Sequence, residues 1–307
     1  MEAYRGVTKP GMDILKEACD LHLHTGPSIF QRLIDDVEAA EQARSAGMKA
    51  IVLKDHHQQT ASRATIARKF VPEVETFGGV VLNYAVGGLN PFAVVAAINY
   101  GGKIIYMPTT DAANHIEFFG SEGATYARLF KTVSGRQMSY RGKRGITILT
   151  ERDELVPETE EILNLIAEAD IILGTCHLSP KEIEILVEEA RNASVKKILV
   201  THATWPPINL SVEKQVELAR KGAYIEQALG VHLPWTYERA NINITVKAIR
   251  EVGADRSILS SDLGQVNNPF PVEGLRSFYV LLERIGIKKE DLRTMACANP
   301  AKLLGVQ

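Results

Sequence analysis

Cysteine, tryptophan, long apolar runs and any excess of charge are all scarce in this chain. Its three cysteines, Cys19, Cys176 and Cys297, are odd in number and far apart along 307 residues. That spacing argues against a disulfide framework and for a reduced, cytoplasmic protein. Cys19 and Cys176 read as small buried side chains rather than ligands or nucleophiles. No run of 18 apolar residues occurs, so no membrane span is expected. The stretch from Met1 to Pro10 lacks the apolar core of a signal peptide. Lysine and arginine total 35 against 37 acidic residues, a formal net charge of -2. Neither nucleic acid nor an anionic membrane is therefore an expected partner, and a small-molecule substrate is. Assembly into a homo-oligomer stays open.

Apolar residues are plentiful instead. At 45% hydrophobic, the chain can bury a large core, in two ordinary domains or one α/β barrel. Short β-branched runs alternate with amphipathic stretches almost throughout. The runs are Cys19–His24, Ala50–His56, Val80–Val86, Lys103–Pro108, Asp170–His177, Lys197–His202, Ala223–Ala228 and Ser257–Asp262. Helical patterns lie between them, at Asp35–Ala46, Pro91–Tyr100, Pro180–Ala193, Val212–Lys221, Asn241–Val252 and Val272–Ile285. Asn90-Pro91 and Ser179-Pro180 place a capping side chain before a first-turn proline, and Gly47, Gly101, Gly222, Gly253 and Gly286 follow helical runs as stops. Eight strand–helix repeats predict a single (β/α)8 TIM barrel spanning residues 1–307, with a doubly wound open sheet as the alternative.

The spacing breaks once. About sixty residues separate Pro108 from Asp170, roughly twice an ordinary unit. The excess, about 109–155, contains Asp111, Asn114, His115, Arg136, Tyr140 and Arg141. It follows the C-terminal end of the fourth run, where barrels do chemistry, so it reads as a lid or substrate-binding insertion or as a solvated excursion.

Ionisable residues gather at the ends of the runs. The first ends in His22 and His24, which alternation puts on one face with Asp20, leaving Leu21 and Leu23 to the other. The second ends Lys54-Asp-His-His57, with Lys54 and His56 on one face and Asp55 and His57 on the other. The fifth ends in His177, the sixth in His202 and the eighth in Asp262, while the seventh carries Glu226. In a closed barrel these ends meet on one rim. Imidazoles with a carboxylate are a ligand set for a divalent metal: zinc foremost, with manganese, iron or nickel as alternatives.

This order (His-x-His first, then His, His and Asp) resembles the amidohydrolase superfamily of metal-dependent barrel hydrolases. Gly253-Ala-Asp-Arg-Ser-Ile-Leu-Ser-Ser-Asp262 and Asn299-Pro-Ala-Lys-Leu-Leu-Gly305 are similar to it too. The resemblance implies that His22, His24 and Asp262 bind one metal. His177 and His202 would bind a second, or one of them would polarise the substrate. It further implies a metal-bound hydroxide attacking an amide, lactam or lactone carbonyl, with Asp262 moving the proton.

The fourth run departs from the family pattern, having no carboxylated lysine or glutamate at its end. Lys54 is the substitute, with His56 beside it, and His57 stands behind them. Lys54 has an alternative role as a free lysine holding a substrate anion. Glu226 and Asp20 read as acceptors for ligand N–H groups. Arg136, Arg141, Trp205 and Glu226 are the candidates for contact with substrate. The alternatives are a phosphoesterase or metal-dependent decarboxylase on the same barrel, or a non-catalytic metal-binding protein.

Overall fold

The computed structural model describes residues 9–120, 145–234 and 239–306. Arg136, Tyr140 and Arg141 lie outside the described residues. The strands are β1 (Cys19–His24), β2 (Ala50–Lys54), β3 (Glu75–Phe77), β4 (Gly79–Val81), β5 (Ile104–Tyr106), β6 (Ile172–Gly174), β7 (Ile198–Val200), β8 (Tyr224–Ala228) and β9 (Ser257–Ser260). All pair in parallel, β1–β2–β3 in one set and β4 through β9 in the other.

Two junctions turn these sets into a ring. β3 and β4 follow one another across Gly78, and β3 pairs with β2 while β4 pairs with β5. At the other side the chain leaving β9 returns to β1: Asp262 N–H donates to His22 O at 2.7 Å, and His24 N–H to Leu263 O at 2.7 Å. A parallel bridge joins Leu23 and Leu263. Eight strand positions thus close as a (β/α)8 barrel, with β3 and β4 sharing one of them. Closure needs glycine at two close approaches. A Cβ on Gly79 would lie 1.9 Å from Ile104 O, and one on Gly264, where φ is +127°, 1.8 Å from His24 O.

Local signals start the helices where the sequence places them. Asp35 accepts from Val37 and Glu38 N–H while Glu38 returns the bond, a capping box opening the helix Asp36–Ser45. Ser179 and Glu182 do the same for Pro180–Asn192, after Pro180 has pre-set the first turn. Each helix lays an apolar stripe on the barrel; Ile183, Leu186, Val187 and Ala190 are the buried stripe of the second. Among the described residues, no helix is long and apolar enough to cross a membrane.

β1 departs from simple alternation. Its register against β2 shifts between Asp20 and Leu23. Cys19 and Leu21 pack in one core cluster with Ala50 and Val52, whereas Leu23 joins Ile51 and Leu53 in the other. Leu21 and Leu23 therefore do not share a face, contrary to the expectation. The irregularity has a consequence for the site. It turns His22 and His24 to the side that Lys54 occupies on β2, which strict alternation from Cys19 and Leu21 would have denied them.

The excursion after β5 contains a helix, Ala113–Phe119, and returns through bridges Ala112–Ile146 and Leu149–Leu155.

Candidate metal centre at the barrel rim

Seven of the eight histidines form one continuous row of rings. His115 lies 4.8 Å from His177, His177 5.0 Å from His202, and His202 5.6 Å from His22, centroid to centroid. The row continues from His22 to His24 at 5.4 Å, to His56 at 4.9 Å and to His57 at 6.1 Å. His232 stands apart, facing Ala240 O at 3.0 Å.

His22 is the hub. Its Nδ1 faces both oxygens of Glu226, at 3.2 and 3.3 Å. Its Nε2 lies 3.1 Å from Asp262 Oδ1 and 2.9 Å from Lys54 Nζ. His24 Nε2 reaches the same Asp262 oxygen at 3.2 Å, and Arg32 Nη2 approaches His24 Nδ1 at 3.4 Å. His22, His202 and Asp262 each bring one ligand atom within 4.8 Å of the others, and all three are buried.

The electrostatics suit a cation. Burial holds His24, His56 and His177 well below the ordinary histidine range and His202 down to about 4, so these rings present neutral imidazole. Burial works against ionising Asp262, but the imidazoles of His22 and His24 hold its carboxyl well below the usual value. Burial and the Lys54 ammonium oppose charge on His22 too. Asp262 and Glu226 nevertheless hold His22 up at about 9. A positive charge is stabilised at that point between the two carboxylates. His202 Nδ1 is buried with no hydrogen-bond partner. Neutral imidazoles, an ionised carboxylate and this open nitrogen fit a divalent metal.

Backbone strain gathers on the same rim. Cys176, His202 and Asp262 have φ of +52°, +34° and +49°, in the left-handed region where side chains cost energy.

The chain matches the model of a family of unknown function, DUF6282, over residues 17–226. It belongs to that family. The matched stretch of this DUF6282 member takes in the candidate residues from His22 to Glu226 and stops before Asp262. No curated protein matches it significantly in sequence. Solved structures match its fold. A probable dipeptidase, PvdM, from Pseudomonas aeruginosa is 11% identical with a TM-score of 0.63, covering 96% of this chain and 96% of that one. An amidohydrolase from Pseudomonas aeruginosa is 14% identical at a TM-score of 0.57, covering 96% and 98%. A substituted organophosphorus hydrolase from Deinococcus radiodurans is 14% identical at 0.56, covering 97% and 98%. The DUF6282 chain shares the fold of these solved structures, as the run order implied.

The sequence candidates distribute as follows. His22, His24, Lys54, His56, His177, His202 and Asp262 are brought into one row of contacts. His57 sits behind, its ring 4.7 Å from Phe30. Glu226 lies behind His22 rather than facing open space: it is fully buried, and it also accepts from His202 N–H at 2.8 Å and Ser260 Oγ at 2.7 Å. Burial opposes ionisation, but the His22 imidazole above all, then the His202 ring and the Ser260 hydroxyl, keep its carboxyl at about 2. Asp20 accepts main-chain N–H groups of His22 and Ser261, both at 3.1 Å, and so ties β1 to the end of β9. Burial raises Asp20 to about 6. Trp205 packs on His115, His177 and His202, and its Nε1 is buried without a partner. Burial pushes the thiols of Cys19 and Cys176 up to about 12 and 11, consistent with inert packing residues.

Sequence reading missed three neighbours. His115 was visible in the excursion but sits on a helix, not at a strand end, so no periodicity marked it. Arg32 reaches His24 from the loop after β1. Tyr106, on β5, places its ring 4.6 Å from Lys54 Nζ and donates its hydroxyl to Leu21 O at 2.9 Å. The fourth run thus contributes an aromatic wall instead of a ligand.

Proposed function

We propose that this protein is a metal-dependent hydrolase that cleaves an amide, lactam or lactone bond in a small molecule. The observation that carries this reading is the buried His22–His202–Asp262 cluster, whose ligand atoms lie within 4.8 Å of one another. His22, His24 and Asp262 would hold one cation; His177 and His202, with Lys54 and His56 alongside, would hold a second or face the substrate. Zinc is the first choice for such a donor set. A divalent ion there would supply Lewis acidity and lower the pKa of water toward about 7.

The chain's own groups do the rest. Asp262, ionised and 3.1 Å from His22 Nε2, is the base placed to take a proton from water and return it to the leaving group. Glu226 holds the His22 ring in one orientation. The Trp205 indole N–H can only donate, and a buried donor without an acceptor costs about 1–3 kcal/mol. A substrate oxygen at Trp205 would recover that cost.

Elemental analysis of the purified protein tests the reading, followed by a screen of amides, lactams and lactones with phosphate esters and aromatic acids as comparison arms. Roughly one or two equivalents of transition metal are expected, lost in His22→Ala together with turnover. Well under half an equivalent, unchanged by His22→Ala, would sink the proposal. Turnover confined to phosphate esters or to decarboxylation would move the chemistry and leave the metal centre standing.

A further inference from the structure

The excursion after β5 returns to the site through two consecutive residues, Asn114 and His115. Asn114 Nδ2 donates to His177 O at 3.1 Å and to Pro207 O at 2.9 Å, fixing the helix Ala113–Phe119 to the end of β6 and the loop after β7. The next side chain engages the His177 ring itself. The two Nδ1 atoms lie 2.9 Å apart with ring planes 24° from parallel. His115 is 4% exposed and His177 6%, so water does not compete for the contact. Phe119 lies 4.6 Å from the His115 ring and Trp205 4.9 Å from the His177 ring, which restricts both rotors.

Two ring nitrogens at this distance share one proton. Two N–H groups would repel, and so would two lone pairs, so one ring donates and the other accepts. Whichever donates, Nδ1 of His177 is spent, and Nε2 is the only nitrogen it can offer elsewhere. The tautomer then decides whether Nε2 carries a lone pair or a proton.

We propose that His115 is a positioning residue for His177: it accepts the Nδ1–H of His177 and thereby fixes the lone pair on His177 Nε2, ready for a cation. The direction of the bond rests on the metal-centre reading, since a ring turned to a cation must present a lone pair. Ligand imidazoles elsewhere are oriented by a carboxylate or carbonyl behind them, as Glu226 does for His22. Here a second imidazole, carried by the excursion, takes that place. The excursion then helps to build the metal centre.

The test is nitrogen NMR on protein carrying 15N-labelled histidine, with and without zinc, in wild type, His115→Phe and His115→Asn, using His177→Gln for assignment. Wild type is expected to show His177 protonated at Nδ1 only. His115→Asn should keep that state, because its carboxamide oxygen can accept, while His115→Phe should give a tautomer mixture and bind zinc about 10–100-fold more weakly. A His177 tautomer unaltered in His115→Phe, or a wild-type His177 protonated at Nε2 in the presence of zinc, would overturn the proposal. If His115→Phe does not fold, the wild-type and His115→Asn spectra still decide. Failure of the metal reading would look different: zinc would not bind wild type at all, while the His177 signals would still respond to His115.

Discussion

Glu226 sets both oxygens within 3.3 Å of Nδ1 of His22, on the side of the ring away from Asp262. The ring is therefore held between two carboxylates, one to orient it and one to share its ligand atom. Glu226→Gln keeps the shape but removes the charge. We expect it to fold and to bind zinc about 10–100-fold more weakly, measured by competition with a chromogenic chelator. Unchanged affinity would show that Glu226 serves only the His202 and Ser260 bonds.

Lys54 and a metal compete for the same position. Lys54 Nζ lies 2.9 Å from His22 Nε2 and brings positive charge to the place a cation would take; carboxylated, it would offer that position an anion instead. Metal loading of wild type should therefore rise when bicarbonate is supplied during reconstitution. Lys54→Met should be indifferent to bicarbonate. Equal metal content with and without bicarbonate in wild type would assign Lys54 to the free-lysine role.

The buried histidines make stability depend on pH. Burial lowers His115 to about 3 and His202 to about 4 in the folded protein, whereas an unfolded chain titrates near 6.5. On acidification the unfolded state takes up these protons first. Their contribution is thus complete above pH ~6.5 and is lost as pH falls toward the folded values, by roughly 1.4 kcal/mol per pH unit for each group. Urea midpoints of the metal-free protein should fall below about pH 6.5; above it they should decline toward pH 9, because His22, held up at about 9, is protonated in the folded state and neutral in the unfolded one. His115→Phe should flatten the acid slope by one proton. A midpoint that stays level down to about pH 4.5 would contradict the burial of these rings.

Gly264 guards the closure of the barrel. Its φ is +127°, and a Cβ there would meet His24 O at 1.8 Å. Gly264→Ala should cost more than about 3 kcal/mol in denaturant unfolding and should also weaken metal binding, because His24 lies on the displaced strand. A cost below about 1 kcal/mol would mean that the seam between β1 and the end of β9 can yield.

Much of this was legible in local patterns. The apolar runs and capped helices place the repeating units, because strand and helix periodicity and first-turn chemistry are short-range. The ends Lys54–His57, His177, His202 and Asp262 announce themselves as polar breaks in apolar runs. Glu75–Phe77 escaped, since it is short and its partner segment continues beyond Gly78. Glu226 was visible as a charge on a strand, yet whether it met substrate or a ligand ring depends on β8 lying beside His22.

What the sequence determined by itself is the inventory: eight units, the donors for a divalent cation, and a chain with few cysteines and almost no net charge. Only the tertiary structure decided how the donors meet. Alternation alone would have put Leu21 and Leu23 on one side of β1; the irregularity before Leu23 breaks that rule and delivers His22 and His24 to Lys54. His115 and His177 are 62 residues apart, and Asp262 and His22 meet across the closing seam of the ring. Such pairings depend on ring closure and strand register, which arise from long-range packing that no short window of sequence contains.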